Sequence, residues 1–402
     1  MSGAAEQARG GTGPLVYLVA GEPSGDALGG RLMASLGRRS GDRLRFAGIG
    51  GPAMRAEGLD SLFPMEELSL FGIAEILPHL PSLLRRLRET EADIRRRRPD
   101  MLVTIDSPGF CFTLARRLAD APFPRVHYVA PTVWAWRPGR ARKIARFLDH
   151  LLLLYPFEPP YFDAVGLANS VVGPPVLEAE TAGDGAGFRA RHGIPDRVPL
   201  LCVLPGSRRS ETDRLLPVFG ETVGRLRATF PDLHVAVPAV PARADDIARA
   251  VAGWAAPTVL CAPDERWDAF AASRAALAAS GTVTLELARA GLPMVVAYRV
   301  GLFTTLAALL MVRTKMIGLV NILLDRKAVP EMLLRDCRPK PLAREVARLL
   351  EDGPARRDQL SAFAEIDAMF ERIGAPPSER AAEAILDVLA AHGGRSADGG
   401  PA

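Results

Sequence analysis

Short apolar runs alternate with helical patterns from residue 14 to about residue 300. Six runs in the first half and five in the second predict strands: Leu15–Ala20, Arg45–Gly48, Met101–Ile105, Arg125–Val129, His150–Tyr155 and Ser170–Val172, then Leu200–Leu204, His234–Val237, Thr258–Cys261, Ala275–Ala279 and Met294–Tyr298. Strands that alternate with helices are typical of βαβ units around a buried parallel sheet. The pattern therefore predicts an α/β fold in which one sheet is followed by another.

The strand pattern restarts after a stretch rich in Gly and Ala, and this divides the chain. The predicted parts are a flexible tail over 1–13, a Rossmann-like domain over 14–177, a linker over 178–199 with a short helix near Gly187–His192, a second Rossmann-like domain over 200–345, helices over 346–392 and a disordered tail over 393–402. We expect the two domains to face each other across a cleft. This architecture hosts unrelated chemistries, so individual residues must indicate the function.

Composition excludes several classes of protein. The 402 residues include 50 basic and 46 acidic ones, a mild excess that does not imply nucleic-acid binding. No run of about 20 unbroken apolar residues predicts a membrane-spanning helix, and the polar N-terminus lacks the apolar core of a signal peptide. The four cysteines are too scattered for a disulfide framework or a zinc ribbon. We expect a cytoplasmic protein with reduced thiols.

Polar residues follow two strands of the predicted first domain. The first strand leads into Gly21-Glu22-Pro23-Ser24-Gly25-Asp26, and the third ends on Asp106. Ligands of open α/β sheets bind at the carboxyl ends of the strands, which makes Glu22, Ser24 and Asp106 candidate catalytic residues. A carboxylate there can act as a general base. The alternative is that Ser24, Asp26 and Asp106 only cap helices.

Two further motifs of this half have weaker interpretations. Residues 48–53, Gly-Ile-Gly-Gly-Pro-Ala, formally fit a dinucleotide fingerprint, but they follow the second strand and not the first. Trp134, Trp136 and Arg137 follow the fourth strand, where an indole can stack on a sugar and a guanidinium can pair with a phosphate. Packing in the core is the commoner fate of a tryptophan.

Two loops of the second domain predict an anion site. Gly206-Ser207-Arg208 joins a strand to a helix, and backbone N–H groups, the helix dipole and an arginine together favour a diphosphate. Ser280-Gly281-Thr282 repeats the arrangement, and Glu286, one turn later, can accept two ribose hydroxyls or be a surface residue. There is no Walker lysine, and no Asp-x-Asp for a diphosphate-bound metal, so we expect neither ATP hydrolysis nor a metal or other cofactor.

An apolar segment followed by arginines occupies residues 68–98. Such basic-apolar stretches can lie in a membrane interface, and residues 302–324 have a similar character. The alternative is a core helix with solvated arginines.

Taken together, these motifs resemble the lipid-A-disaccharide synthase family of membrane-associated glycosyltransferases, which have the two-domain GT-B fold. The matching stretches span residues 15 to about 345 in the family's order: 20–26, 50–52 with Met54 and 57–58, 65–68, 105–108, 128–137, 204–208, 279–282, 293–299, and Asn321 with Glu331. Two stretches depart from the family's pattern. Gly109 and Cys111 stand where the family often has polar residues, and the 320–330 loop differs.

The resemblance implies an inverting transfer of 2,3-diacylglucosamine from its UDP carrier to the 6-hydroxyl of 2,3-diacylglucosamine 1-phosphate (lipid X), which releases UDP. Glu22, Ser24, Asp106, Arg208 and Asn321 match its functionally sensitive positions. It also implies an acylated UDP-sugar donor, an acylated sugar 1-phosphate acceptor and peripheral contact with the cytoplasmic face of the inner membrane. A homodimer is compatible with the sequence. The alternatives are a UDP-sugar 2-epimerase, another GT-B UDP-sugar transferase, and a non-enzymatic nucleotide-sugar or lipid-binding protein.

Overall fold

The computed structural model of the chain describes residues 13–68, 73–134, 139–179, 181–299 and 316–398, with 73–79, 242 and 394–398 described by backbone only. The chain forms two compact units. Unit 1 contains the described residues up to Leu177 and from Ile373 onward, and unit 2 contains Glu178–Arg372.

Each unit is built on a six-stranded sheet in which all paired strands are parallel. The sheet of unit 1 has the order β2-β1-β3-β4-β5-β6, and that of unit 2 the order β12-β11-β10-β7-β8-β9. The strands are β1 Leu15–Ala20, β2 Arg45–Ile49, β3 Met101–Ile105, β4 Arg125–Tyr128, β5 His150–Leu153, β6 Ala168–Val171, β7 Leu200–Leu204, β8 His234–Pro238, β9 Thr258–Cys261, β10 Ala275–Ala279, β11 Met294–Tyr298 and β12 Glu331–Leu333. All eleven predicted strands are present, and β12 is additional. The order in unit 2 is that of a Rossmann sheet.

The helices follow the strands as the alternating pattern predicts. They are α1 Pro23–Ser40, α2 Pro52–Ala56, α3 Ile73–Arg97, α4 Pro108–Arg117, α5 Gly139–Ile144, α6 Pro159–Asp163, α7 Gly185–Arg191, α8 Arg209–Thr229, α9 Ala244–Val251, α10 Arg266–Ala272, α11 Val283–Arg289, α12 Leu319–Leu324, α13 Pro339–Leu350, α14 Pro354–Glu371 and α15 Pro377–Asp398. Short 3₁₀ turns lie at Met65–Leu68, Pro175–Glu178, Pro241–Arg243 and Pro263–Glu265.

The central strands are continuous apolar runs because helices cover both faces of a parallel sheet. Every residue of β1, β3, β7 and β10 is buried. One polar contact fixes α3 against the sheet: the buried hydroxyl of Tyr17 in β1 donates to Asp93 of α3 at 2.9 Å. These rows of buried strands bring their carboxyl ends to one edge of each sheet.

Three predicted boundaries need correction. The predicted linker is part of unit 2. Arg189 of α7 donates to the carbonyl of Ala272 at 2.7 Å, and the backbone N–H of Asp184 donates to the carboxylate of Asp268. The C-terminal helices do not form one region: α13 and α14 belong to unit 2 and α15 to unit 1, where Ser35 of α1 donates to Ser378 at 3.0 Å. The predicted disordered tail is wrong for residues 393–398, which continue α15.

Candidate active site

Strained backbone marks the carboxyl edge of the sheet in unit 1. Asp106 and Ser107, directly after β3, have φ angles of 52° and 43°, and Val129, directly after the neighbouring β4, has φ of 76°. A β-branched residue with positive φ is an outlier, and each such residue costs about 1–3 kcal/mol. Strain of this kind clusters at functional sites, so this edge of the sheet is a candidate active site.

The predicted catalytic residues of unit 1 come together at this edge. Ser24, at the start of α1, donates its hydroxyl to Oδ2 of Asp106 at 3.2 Å. Ser107 donates to Oε1 of Glu22 at 3.3 Å. Asp106 and Glu22 are half-buried and Ser24 is exposed, so the group can be reached from solvent. Within the described residues, the other carboxylate oxygen of Asp106, Oδ1, has no hydrogen-bond partner and can face an incoming hydroxyl.

Asp26, which follows in the same motif, has a structural role. Its buried carboxylate accepts from the N–H groups of Gly51, Ala53 and Met54 at 2.7–3.0 Å, which caps α2. In the glycine-rich stretch 48–53, this carboxylate occupies the helix end where a dinucleotide fingerprint would hold its pyrophosphate. The stretch is therefore a helix-anchoring turn and not a cofactor site.

An aromatic cluster with a buried acid lies after β4 and β5. The ring of Trp134 meets Phe157 edge-on at 5.4 Å, and Phe157 stacks on Tyr155. The Glu158 carboxylate accepts from the N–H groups of Leu154 and Tyr155, and burial raises its pKa to about 7. The sequence analysis missed Glu158, for which nothing in the local pattern gives a signal. Trp136 and Arg137 lie outside the described residues.

Cys111 departs from the family's pattern, and the structure accounts for it. The side chain is fully buried in α4 and its sulfur lies 3.9 Å from the carbonyl of Val19. Burial raises the pKa of the thiol, and the charges of Asp106 and Glu22 raise it further. A neutral buried thiol behind the strained edge provides packing and no polar contact for a ligand.

Unit 2 carries a separate cavity of about 560 Å³ at the carboxyl ends of β7, β8 and β10. It is lined by 204–208, Glu211, 238–241, Pro263, Arg266, 279–283 and Glu286. Both loops that the sequence singled out therefore line one cavity, Gly206, Ser207 and Arg208 after β7 and Ser280, Gly281 and Thr282 after the neighbouring β10. A cavity of this size suits a small ligand.

The arginine of the first loop has an acidic neighbour. Arg208 directly precedes α8, its side chain is about two-thirds exposed, and its Nη1 lies 3.6 Å from Oε1 of Glu211. Oε2 of Glu211 accepts from the N–H groups of Ser207 at 3.3 Å and Arg208 at 3.4 Å. The side chain thus reaches back to the helix start, as a capping-box glutamate does.

Tyr298 at the end of β11 is a further residue near these charges. It is half-buried, and burial raises the pKa of its hydroxyl, with a smaller contribution from the charge of Glu211 that Arg208 opposes. Its place at the end of a strand was the only signal in the sequence. The sequence analysis did not assign it a role.

Glu286 is held at the cavity by an ion pair that leaves hydrogen-bonding capacity unused. Its Oε2 lies 3.2 Å from Nη1 of Arg266, but that oxygen has no hydrogen-bond partner in the described part of the chain. Burial raises the pKa of the carboxyl, and Arg266 opposes the shift. The side chain is therefore more than a surface glutamate, because it is mostly buried and an ion pair holds it at the cavity.

Asn321 is fully buried, and its amide is saturated by the chain itself. Nδ2 donates to Val329 O and to Oε1 of Glu331, both at 2.8 Å, while Oδ1 accepts from the N–H groups of Ala328 and Val329. Both donors and both acceptor positions of an amide are then in use. Asn321 therefore has no capacity left for a substrate in this arrangement.

Through Glu331 this network reaches the second loop of the cavity. Glu331 accepts from the N–H groups of Ile317 and Gly318 at 3.1 and 2.9 Å, and the carbonyl of Ile317 accepts from the Ser280 hydroxyl at 3.4 Å. Asn321 thus supports the cavity wall instead of lining it.

Two apolar side chains within α3 are exposed to solvent. Leu80 and Leu84, one turn apart, are 44% and 37% exposed, and Arg85 and Arg88 beside them are exposed as well. Arg98 is exposed too, but four other arginines of the 68–98 segment are engaged within the protein. They pair with nearby carboxylates: Arg86 with Glu67 and Glu89, Arg95 with Glu91 and Asp120, and Arg96 and Arg97 with Asp93.

Two general features complete the description. No helix in the described ranges is long and apolar enough to cross a membrane. Within the same ranges, no three side chains among His, Cys, Asp and Glu are grouped so that they could hold a metal ion.

Comparison with known proteins finds the same family along nearly the whole chain. The model of the family described as lipid-A-disaccharide synthetase matches residues 16–385. Among curated relatives, the lipid-A-disaccharide synthase of Rhodospirillum centenum is 54% identical over 93% of this chain and 94% of its own length. That of Paramagnetospirillum magneticum is 52% identical over 93% and 97%.

Solved structures share the fold at low sequence identity. A putative UDP-N-acetylglucosamine 2-epimerase from Listeria monocytogenes superposes with a TM-score of 0.61 at 14% identity, over 95% of this chain and 96% of that one. The calicheamicin glycosyltransferase CalG4 gives a TM-score of 0.57 at 18% identity, over 94% and 99%. At sequence identities this low, these structures establish the fold class alone.

Proposed function

The chain belongs to the lipid-A-disaccharide synthetase family of glycosyltransferases, and from that premise we propose that it joins two acylated glucosamines. In this proposal, 2,3-diacylglucosamine passes from UDP-2,3-diacylglucosamine to the 6-hydroxyl of 2,3-diacylglucosamine 1-phosphate, with inversion at the transferred carbon. The observation that carries the proposal is the Ser24–Asp106 contact of 3.2 Å at the strained sheet edge, because it positions a base where an acceptor hydroxyl can be activated.

Asp106 is the proposed base. Oδ1 of Asp106 takes the proton from the acceptor's 6-hydroxyl while the hydroxyl oxygen forms its bond to C1 of the donor sugar. Ser24 holds the carboxylate in place, and Glu22, linked to Ser107, is the next candidate for the same role. Gly21 packs so closely on Ser107 that an added Cβ would lie 2.7 Å from its hydroxyl, which supports a fixed arrangement of these groups.

Unit 2 holds the leaving group in this proposal. As the bond between C1 and the diphosphate oxygen breaks, negative charge grows on UDP. Arg208, the N–H groups of residues 206–208 and the start of α8 stabilise that charge. Ser280, Gly281 and Thr282 line the same cavity beside them. The carboxylate of Glu286, which lines the cavity, accepts the ribose hydroxyls.

Contact with the cytoplasmic face of the inner membrane is the third element of the proposal. Both substrates carry acyl chains, so an enzyme that takes them from a bilayer benefits from apolar side chains that enter the interface and from nearby cations. Leu80, Leu84, Arg85 and Arg88 provide both on one stretch of α3. Leu70 and Phe71, which the sequence analysis included, lie outside the described residues.

A UDP-sugar 2-epimerase is the second candidate, because structures of that activity share the fold. The two functions differ in what they require: an epimerase acts on UDP-N-acetylglucosamine alone, whereas the proposed transfer needs both acylated sugars. Purified protein should release UDP when the acylated donor and acceptor are both present, and it should leave UDP-N-acetylglucosamine unchanged. Epimerised UDP-N-acetylglucosamine, or binding of the donor without any UDP release when the acceptor is added, would contradict the proposal.

A further inference from the structure

An acidic side chain occupies the anion position of the donor cavity. The carboxylate of Glu211 accepts from two backbone N–H groups at the start of α8, those of Ser207 and Arg208 at 3.3 and 3.4 Å. Its other oxygen lies 3.6 Å from the guanidinium of Arg208. Every one of these groups is also assigned to the diphosphate in the proposed function.

The Gly206 loop is folded onto the same carboxylate. A Cβ built on Gly206 would lie only 2.5 Å from Oε2 of Glu211, and the residue has φ of +102°. No L-residue with a side chain fits here without strain, so glycine allows the carboxylate to approach the loop from this side. The side chain of Glu211 is about a quarter exposed, so its terminal carboxylate has solvent beside it to move into.

Two anions cannot use the same donors at once. A carboxylate and a phosphate placed within a few Å repel each other, and each would lose hydrogen bonds to the other. The N–H groups of the helix start can therefore serve either Glu211 or the diphosphate.

We propose that Glu211 is a displaceable placeholder for the diphosphate, an inference that rests on the proposed function. Before a nucleotide binds, its carboxylate satisfies the N–H groups of Ser207 and Arg208 and keeps Arg208 at the cavity. When a nucleoside diphosphate binds, the carboxylate gives up these contacts and the side chain swings out toward solvent. When UDP leaves, Glu211 returns, so its negative charge weakens product binding and favours release.

This role predicts a gain of affinity, which a purely structural role does not. In Glu211→Gln the side-chain oxygen can still accept from the N–H groups, so the helix cap is retained, but the charge that competes with phosphate is gone. Removing one unit charge from a partly exposed helix start should tighten UDP binding about three- to tenfold. Loss of a structural cap would instead weaken binding or leave it unchanged.

The test is calorimetric titration of the full chain with UDP and with uridine. Glu211→Gln should bind UDP three- to tenfold more tightly than the wild type and bind uridine equally well, because uridine has no phosphate. Glu221→Gln is the matched control, since Glu221 is exposed on the same helix and far along it from the loop. It should bind UDP as the wild type does.

Each outcome has a distinct meaning. If the wild type binds UDP and Glu211→Gln binds it equally or less tightly, the placeholder role is wrong while the proposed function stands. If the wild type fails to bind UDP, the proposed donor site itself is wrong. Should Glu211→Gln fail to fold, Glu211→Ala is titrated in its place, and failure of both to fold identifies Glu211 as a structural cap and overturns the inference.

Discussion

Replacing Asp106 by Asn tests the proposed base with little disturbance of the fold. Asp106 has φ of 52°, and Asn is one of the few residues that adopts positive φ readily, so the backbone should keep its conformation. The amide can still accept the Ser24 hydroxyl, which lies 3.2 Å from Oδ2 in the wild type. The variant therefore removes the proton acceptor and little else.

Two variants separate the contribution of proton transfer from that of the hydrogen bond. A general base typically contributes about 10²–10⁴ in rate, so the Asn variant should lose about 100-fold or more, or roughly 2.7 kcal/mol of transition-state stabilisation. The Ser24–Asp106 hydrogen bond is long and exposed, and a bond of this kind contributes about 0.5–1.5 kcal/mol. Ser24→Ala should therefore slow turnover only about two- to tenfold.

The assay is the initial rate of UDP release with both acylated substrates, measured together with UDP affinity and thermal unfolding. Asp60→Asn is the matched control, because Asp60 is an exposed aspartate of the same unit and should not affect the rate. UDP affinity should be unchanged in Asp106→Asn, since the cavity proposed to bind UDP is in unit 2. A folded Asp106→Asn variant with near-normal turnover would refute the role, and Glu22→Gln would then be the next variant to measure.

Four further predictions follow from other contacts. Arg208→Ala should weaken UDP binding by roughly 10- to 100-fold in calorimetry, because a charge-assisted contact contributes about 1.5–3 kcal/mol. EDTA should leave the wild-type rate unchanged, and loss of activity in EDTA that magnesium restores would contradict the metal-free account. Leu80→Ser combined with Leu84→Ser should reduce sedimentation with anionic vesicles and raise the apparent KM for the lipid substrates while the melting temperature is kept; unchanged vesicle binding would move the interface elsewhere. Asn321→Ala leaves buried N–H groups unsatisfied and should lower the free energy of unfolding by about 2 kcal/mol or more in urea, with kcat affected more than UDP affinity; a stable variant would contradict the saturated amide. Burial raises the pKa of Glu158 from the usual 4.5 to about 7, so between those pH values the folded chain keeps a proton that the unfolded chain has released. The free energy of unfolding should therefore fall as the pH rises from 4.5 to 7, and Glu158→Gln should remove roughly 3 kcal/mol of this fall. Identical pH profiles of the variant and the wild type would refute the assignment.

Local pattern was sufficient to predict the strands and the loops that follow them. The apolar runs of β1, β3 and β7 are fully buried, and the polar residues at their ends lie at the sheet edges as parallel topology requires. By contrast, β12 has only three half-buried residues, Glu331–Leu333, without a β-branched residue to indicate a strand. The sequence pattern could not predict this strand because it forms through its pairing with β11.

Contacts between distant parts of the chain could not be predicted in this way. The helix α15 joins unit 1 through the pairing of Arg38 with Glu379 at 2.6 Å, and nothing near either residue in the sequence indicates the other. The roles of Asp26 and Asn321 have the same origin. Both lie in motifs that suggest chemistry, but their side chains are already hydrogen-bonded within the protein: Asp26 to backbone N–H groups, and Asn321 to backbone groups and Glu331. Only coordinates reveal that a polar side chain is already satisfied.

The central claim is most directly tested by the product that the purified wild-type chain forms from the two acylated substrates. The account predicts one disaccharide 1-phosphate for each UDP released, detected by mass spectrometry, with NMR showing a new linkage at the acceptor's 6-position of opposite anomeric configuration to the donor. A product with retained configuration would contradict the role of Asp106 as base in a single displacement. Absence of any disaccharide from a folded, UDP-binding protein would contradict the proposed transfer itself.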